Sequence, residues 1–217
     1  KVGNDSFGHF LERTLQQAGV DTTMLVKGKE PTTIAFVSRI AGGERDFIFN
    51  RGADETLTIE DIKWQYLDAE IAHFGSATAL LSSPFYETYM EVMHVLKKRG
   101  AFISFDPNYR KDLWKENELV YQERVAACVQ LADFVKMSEE EFALFGHKVP
   151  KGKWFAVTKG HAGTWISNGE QSTLVPSINV QSIDSTGAGD AFVGVMLKQL
   201  SDYPTLNTIT FKDFQQL

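Results

Sequence analysis

From Ala69 onward the chain alternates short apolar runs with amphipathic stretches, and this alternation constrains the fold more than any other feature. Residues 71–74, 101–105, 134–137 and 154–157 are apolar runs bounded by turn signals, too short for buried helices, and they read as strands. Helical periodicity fills the intervals at 83–99, 119–131 and 139–145, with a last helix over 191–200. Ser83-Pro84 opens the first of these, with Tyr86, Tyr89, Met90, Met93 and Leu96 inward and Gly100 as its stop. The last places Phe192, Val195, Met196 and Leu200 on one side. Strands separated by helices require crossover connections, so the pattern predicts an α/β fold whose mostly parallel sheet is covered on both faces.

The first third of the chain follows another rule. Asp5 or Ser6 can cap a helix with apolar positions Phe7, Phe10, Leu11, Leu15 and Ala18, stopped by Gly19. Strand-like runs at 32–40 and 46–49 then flank Gly42-Gly43 with no helix between them, which predicts a hairpin. At 217 residues the chain holds one sizeable core plus a small accessory element.

Charge and cysteine content narrow the function classes. A net charge of −6 argues against a nucleic-acid binder, which would carry a basic face. It leaves a nucleotide substrate open, because backbone N–H groups at a helix N-terminus hold phosphate whatever the global charge. No apolar run reaches the roughly 18 residues of a membrane-spanning helix, and no signal peptide is visible, so neither a membrane nor a nucleic-acid partner is expected. Cys128 is the single cysteine, which excludes an internal disulfide and fits a reducing, cytoplasmic setting. It is expected to be buried and inert. No two histidines have metal-ligand spacing, so no structural zinc is expected, and His73 reads as a satisfied core histidine.

Ligands of parallel sheets bind at the carboxyl ends of the strands. Polar clusters follow four of the predicted strands: Gly75-Ser76, Asp106-Pro107-Asn108-Tyr109-Arg110, Ser138-Glu139-Glu140-Glu141 and Thr158-Lys159-Gly160. The most informative segment is Asp184-Ser185-Thr186-Gly187-Ala188-Gly189-Asp190-Ala191-Phe192. Gly187 and Gly189 allow unusual dihedrals and close backbone approach just before an apolar helix. The result is a row of N–H donors at a positive helix end, an anion cradle. Asp190 at that helix start is either an N-terminal charge partner or a catalytic carboxylate.

Asp-x-Thr-Gly-Ala-Gly-Asp-Ala-Phe resembles the C-terminal signature of the ribokinase-like (PfkB) carbohydrate kinases, with fructokinase the nearest type. Other segments agree along nearly the whole chain. Val2-Gly3-Asn4-Asp5-Ser6-Phe7-Gly8 is similar to the family's V-G-x-D-x-F-G. Pro31-Thr32-Thr33 and Asn50-Arg51-Gly52-Ala53-Asp54 resemble its sugar-covering lid. Asp106 to Arg110 looks like the D-x-N-x-R element of fructokinases and 2-keto-3-deoxygluconate kinases, and 158–163 resembles the nucleotide-binding T-x-G-x-x-G turn. The resemblance implies a single kinase domain over 1–217, a ribokinase-like three-layer sandwich with a small β lid at about 30–55. It implies ATP and Mg2+, with K+ as a further cation, and a lid that serves as a homodimer surface. By the same resemblance Asp190 is the base, and Gly187, Ala188 and Gly189 form the anion hole. Thr158, Lys159, Gly160, Gly163 and Ser138 bind ATP. Arg51, Asn108 and Arg110 meet the sugar. Glu141 acts on Mg2+ through water, and Asp184 belongs beside a monovalent cation.

On the residues alone, Arg110 could equally pair with Asp112 or Glu116, and Arg51 and Lys159 could be solvated. Three departures stand out. Ser138 replaces the Asn of the family's N-x-x-E. The family's N-terminal strand with its Gly-Gly-x-x-x-Asn motif and its final helix are not in the sequence. The connection from Phe145 to Trp154 is short for a crossover of about 10–12 residues. Chain missing from this sequence is expected at these places.

Overall fold

The computed structural model describes residues 1–39, 45–115, 117–179 and 186–217. The chain forms two compact units. The first comprises Lys1–Asp68, Ser76–Val95 and Tyr109–Arg124; the second comprises Ala69–Gly75, Leu96–Asn108 and Val125–Leu217.

In the first unit β1 (Val2–Gly3) and β2 (Lys27–Gly28) pair in parallel on either side of α1 (Ser6–Gln17). Asp5 caps α1, accepting from the Gly8 N–H at 2.8 Å. It also accepts from the Thr32 N–H at 2.7 Å and the Thr32 hydroxyl at 2.8 Å. These bonds hold the carboxyl down at about 2. The helix forms where its cap and periodicity predict, yet Phe7, Phe10, Leu11 and Leu15 are exposed and Gly8 is the buried position. A β-carbon on Gly8 would stand 2.0 Å from the Gly3 carbonyl oxygen, so the backbones touch on that face and leave no room for a large side chain.

The hairpin follows as β3 (Ile34–Arg39) and β4 (Arg45–Asn50), antiparallel with Ile34 opposite Asn50 and Phe36 opposite Ile48. It is a two-stranded sheet separate from the main one. The predicted Gly42-Gly43 turn lies outside the described residues. The first unit also holds three 3-10 turns between Ala53 and Tyr66, most of α2 (Phe85–Lys98), α3 (Lys111–Trp114) and the first half of α4 (Glu118–Leu131). Tyr89, Met93 and Leu96 are buried on α2 as predicted, and the Arg124 guanidinium stacks over the Tyr86 ring at 4.2 Å.

The second unit is built on a six-stranded sheet. Its strands are β5 (Ile71–Gly75), β6 (Phe102–Asp106), β7 (Phe134–Ser138), β8 (Trp154–Thr158), β9 (Thr164–Ser167) and β10 (Ser172–Val175), in the spatial order β10-β9-β8-β7-β6-β5. The first four pair in parallel, and β9 and β10 add an antiparallel edge. The predicted parallel strands fall within a residue of those observed. The β9–β10 hairpin was not foreseen. The crossover from β7 to β8 occupies residues 139–153 and contains α5 (Glu139–Leu144). Because α5 begins directly after β7, the whole interval from 139 counts toward the crossover, which has the length a parallel connection needs.

Alternation along the strands sorts the two faces. Phe102, Phe134, Ala156 and Ile166 form a cluster with Met196 and Leu200 of α6 (Ala188–Ser201) and Phe214 of α7 (Phe211–Gln216). Val193, not Val195, is buried on α6; Val195 is 56% exposed, because the helix turns Val193, Met196 and Leu200 toward the sheet at i, i+3, i+7. On the opposite face Phe155 packs with Phe142 and Phe145 at the end of α5, ring centroids 6.3 Å apart in both pairs. Helices therefore cover both faces of the sheet. Cys128 is fully buried, and burial pushes its thiol up to about 12. No helix among the described residues is long and apolar enough to cross a membrane.

Candidate active site

The face of the sheet that carries α6 turns polar toward its carboxyl end. His73 pairs in register with Ser104, and Gly75 with Asp106. Ser104 pairs with Phe134, which places Lys136 beside Asp106 two residues further on. His73 Nδ1 lies 3.0 Å from the Ser104 hydroxyl. His73 is thus satisfied but is not a core residue: it is exposed in the middle of β5, the edge strand of the sheet. The protein atoms crowding the ring nonetheless lower its pKa, Asp190 opposing that shift and Lys136 adding to it.

Asp106 is buried and uses both oxygens. Oδ1 accepts from the Asn108 N–H at 3.1 Å, closing a turn in which Asn108 has φ +47°. Oδ2 accepts from Lys136 Nζ at 3.1 Å. Lys136 is itself 9% exposed. The sequence reading places Asp106 in the D-x-N-x-R element and Lys136 at the head of the run to Glu141, both in support of the fructokinase resemblance, without giving either a role in the site. The signal was there, since a lysine inside the run Phe134-Val135-Lys136-Met137 puts a charge where strands are otherwise apolar.

The anion turn sits above this row. Gly187 has φ +78° and precedes α6, which starts three residues earlier than predicted and takes in Ala188, Gly189 and Asp190. Among the described residues no side chain caps the helix. Gly189 has ordinary helical dihedrals, contrary to expectation; its requirement is space, because a β-carbon there would lie 3.1 Å from Lys136 Nζ. Gly187, Ala188 and Asp190 are exposed. Asp184 lies outside the described residues.

Ser138 and Glu141 form a reciprocal cap on α5. Glu141 N–H donates to the Ser138 hydroxyl at 3.2 Å, and Ser138 N–H donates to Glu141 Oε2 at 2.6 Å. S-x-x-E is a capping box, so Ser in place of Asn keeps the helix start intact, and one oxygen of the buried Glu141 is committed to it. Lys159 Nζ pairs with Glu139 Oε1 at 2.6 Å. This exposed pair contributes about 0–1 kcal/mol and can yield to a phosphate at little cost.

After β8, Lys159 N–H donates to the Gly163 carbonyl at 2.8 Å, closing a tight turn over Gly160. Gly163 has φ +106°, and a β-carbon on it would stand 2.1 Å from the Val175 carbonyl oxygen, so no other residue fits. A cavity of about 430 Å³ opens beside this turn, lined by Thr158, Gly160, Gly163, Ala188, Gly189 and Phe192 among others. Five predicted nucleotide and anion residues therefore meet in one concavity at the carboxyl ends of the strands. A cavity of about 450 Å³ at the opposite end, beside Glu70, Gly100, Asp133 and Tyr203, lacks such an anion turn.

Arg51 and Arg110 belong to the first unit. Arg51 Nε donates to both Asp54 oxygens, at 3.2 and 3.0 Å. Burial would raise the pKa of Asp54, but hydrogen bonds from Thr33 and Arg51 outweigh it and hold the pKa low. Arg110 Nη1 donates to the Tyr109 carbonyl at 3.0 Å. No cluster of three or more His, Cys, Asp or Glu among the described residues could cage a metal ion.

Comparison with known proteins gives the family. The pfkB family of carbohydrate kinases matches residues 1–211. Fructokinase-1 of Zea mays is 34% identical over 221 residues, covering 94% of this chain and 68% of the maize protein. The crystal structure of an uncharacterised sugar kinase of Pyrococcus horikoshii in complex with ATP superposes with a TM-score of 0.85 at 36% identity, over 94% of this chain and 69% of that one. The fructokinase of Vibrio cholerae O395 with fructose, ADP and calcium ion bound also gives 0.85, at 30% identity, over 99% of this chain and 73% of that one. The chain belongs to the pfkB family of carbohydrate kinases, and it is an ATP-dependent sugar kinase with a ribokinase-like fold.

Proposed function

We propose that this kinase phosphorylates fructose at its primary 6-hydroxyl, with Asp190 as the base. The observation that carries the base assignment is the uncapped start of α6, with Asp190 exposed in its first turn beside the nucleotide-sized cavity. The Zea mays and Vibrio cholerae fructokinases support the choice of sugar. Asp190 accepts the hydroxyl proton as the sugar oxygen bonds to the γ-phosphorus. The bond to the β,γ-bridging oxygen breaks, and its electron pair leaves with ADP. The N–H groups of Gly187, Ala188 and Gly189 receive the phosphoryl oxygens, a task that is mostly positioning and charge stabilisation.

Thr158, Lys159, Gly160 and Gly163 hold the nucleotide, with Ser138 fixing the neighbouring helix start. Asn108, Arg51 and Arg110 are assigned to the sugar. Mg2+ keeps several of its waters and binds through substrate phosphates with few direct protein ligands. Glu141 is the carboxylate that would meet those waters, and bound Mg2+ would neutralise the phosphate charge. The lid hairpin as a dimer surface and a K+ requirement remain parts of the same proposal. The test is ADP release by the full-length protein with Mg·ATP against fructose, ribose, adenosine and 2-keto-3-deoxygluconate. Fructose as the preferred acceptor supports the reading; preference for the keto acid transfers Arg110 to its carboxylate and overturns the fructose assignment.

A further inference from the structure

Lys136 sits where stability alone gives no reason for a cation. It lies on the α6-facing side of the sheet, in a row whose neighbouring strand position is Ala156 and whose preceding residue on the same face is Phe134, both fully buried. A buried ion pair such as Lys136–Asp106 is often matched or bettered by an apolar pair of the same volume. The ammonium also lies against the first turn of α6, at the positive end of the helix dipole, where a cation is normally unfavourable. Gly189 must lack a β-carbon to leave it that space. Three separate costs thus converge on one atom, Nζ, and all three become useful if an anion is bound at the turn.

We propose that Lys136 is a contact to the transferred phosphoryl group, held by Asp106 beneath Gly189 and adding a full positive charge to the N–H groups of the anion turn. This rests on the phosphoryl-transfer reading above. Asp106 accepts one of the three ammonium donors and fixes the side chain against the turn. The same carboxylate, through Oδ1, sets the Asn108 turn, so one buried group orients both a phosphate-side and a sugar-side element. Lys136 gives up no proton during the reaction; charge moves from the γ-phosphoryl to the leaving ADP while the ammonium stays ammonium. Its benefit is greatest for the γ-phosphoryl, the part that ADP lacks.

The experiment uses the full-length protein with Lys136→Met and with the double variant Asp106→Asn/Lys136→Met, which removes the carboxylate left uncompensated by the single change. Asp190→Asn serves as the reference. Steady-state kinetics, Tm, and calorimetric binding of ADP and of a non-hydrolysable ATP analogue are read together. The single variant should lose about 100- to 1,000-fold in kcat, the cost of removing one preorganised charge-stabilising donor. It should bind the analogue more weakly and ADP as before. The double variant should regain most of any lost Tm and none of the lost kcat. Recovery of kcat in the double variant, or equal weakening of ADP and analogue, would make Lys136 only the counter-ion of Asp106 and overturn the inference. If Asp190→Asn abolishes turnover while both Lys136 variants keep it, this inference falls and the kinase reading stands. If the wild-type protein phosphorylates no sugar, the kinase reading is at fault, and the analogue-against-ADP comparison still decides Lys136.

Discussion

Helices α1 and α6 begin in opposite ways. At α1 the Asp5 carboxylate turns back and accepts the Gly8 N–H, so the helix satisfies its own first turn. Helices α5 and α7 do the same with capping boxes from Ser138 and Thr210. At α6 the cap position is Gly187, which has no side chain to offer, and the acidic residue of the first turn, Asp190, is exposed. The first four N–H groups of any helix lack helical partners. A helix that fills them from within gains stability; one that leaves them open gains a place for an anion. An open start alone marks nothing, since α3 after Arg110 also lacks a side-chain cap; α6 differs in having glycine at the cap and a cavity beside its first turn.

Breaking the α6 start should have the largest effect. Asp190→Asn should lower kcat by about 100- to 10,000-fold, the range for a general base, with ATP affinity retained by calorimetry. Gly187→Ala forces a β-carbon into left-handed backbone at about 1–2 kcal/mol. It should lower both Tm and kcat, because the turn either strains or shifts its donors. At a self-capped helix the outcome should differ in kind. Thr210→Ala removes the α7 cap and should cost about 1 kcal/mol, read as a lower Tm, with a far smaller loss of kcat than at α6, since α7 only lines the cavity wall through Phe214 and Gln215.

The smallest effect is electrostatic. The His73 titration, followed by NMR, should lie below the ordinary histidine value. Asp190→Asn should lower it further and Lys136→Met should raise it, since those charges act on the ring with opposite signs. The linkage runs with the lowered pKa. The unfolded chain binds the His73 proton first as pH falls through its own value of about 6.5, so this residue's contribution to stability is lost progressively below that pH.

The architecture was legible because buried parallel strands must be apolar on both faces: Phe102 to Phe105 and Phe134-Val135 announce themselves. The anion turn was legible because its glycines precede an apolar helix. Other features were hidden for physical reasons. Thr164 to Ser167 and Ser172 to Val175 carry too few apolar residues to stand out from loop, and only their antiparallel pairing reveals an edge hairpin. The exposed face of α1 has a helix's periodicity, but the buried side is set by the Gly3–Gly8 backbone contact, which periodicity cannot see. The N-x-x-E position reads from the sequence as ATP and Mg2+ chemistry at a helix start; the mutual cap of Ser138 and Glu141 is added by the structure. The placement of Lys136 depended on a strand register and on the space at Gly189, neither of which a linear reading contains.

The most direct test of the central claim is a single-turnover measurement of phosphoryl transfer from ATP to fructose, wild-type protein against Asp190→Asn at saturating ATP. The account predicts fructose 6-phosphate from the wild type and a rate at least about 100-fold lower in the variant, with ATP bound equally by both. Equal rates in the two proteins would contradict it, because the carboxylate at the open end of α6 would then be only a helix-terminal charge.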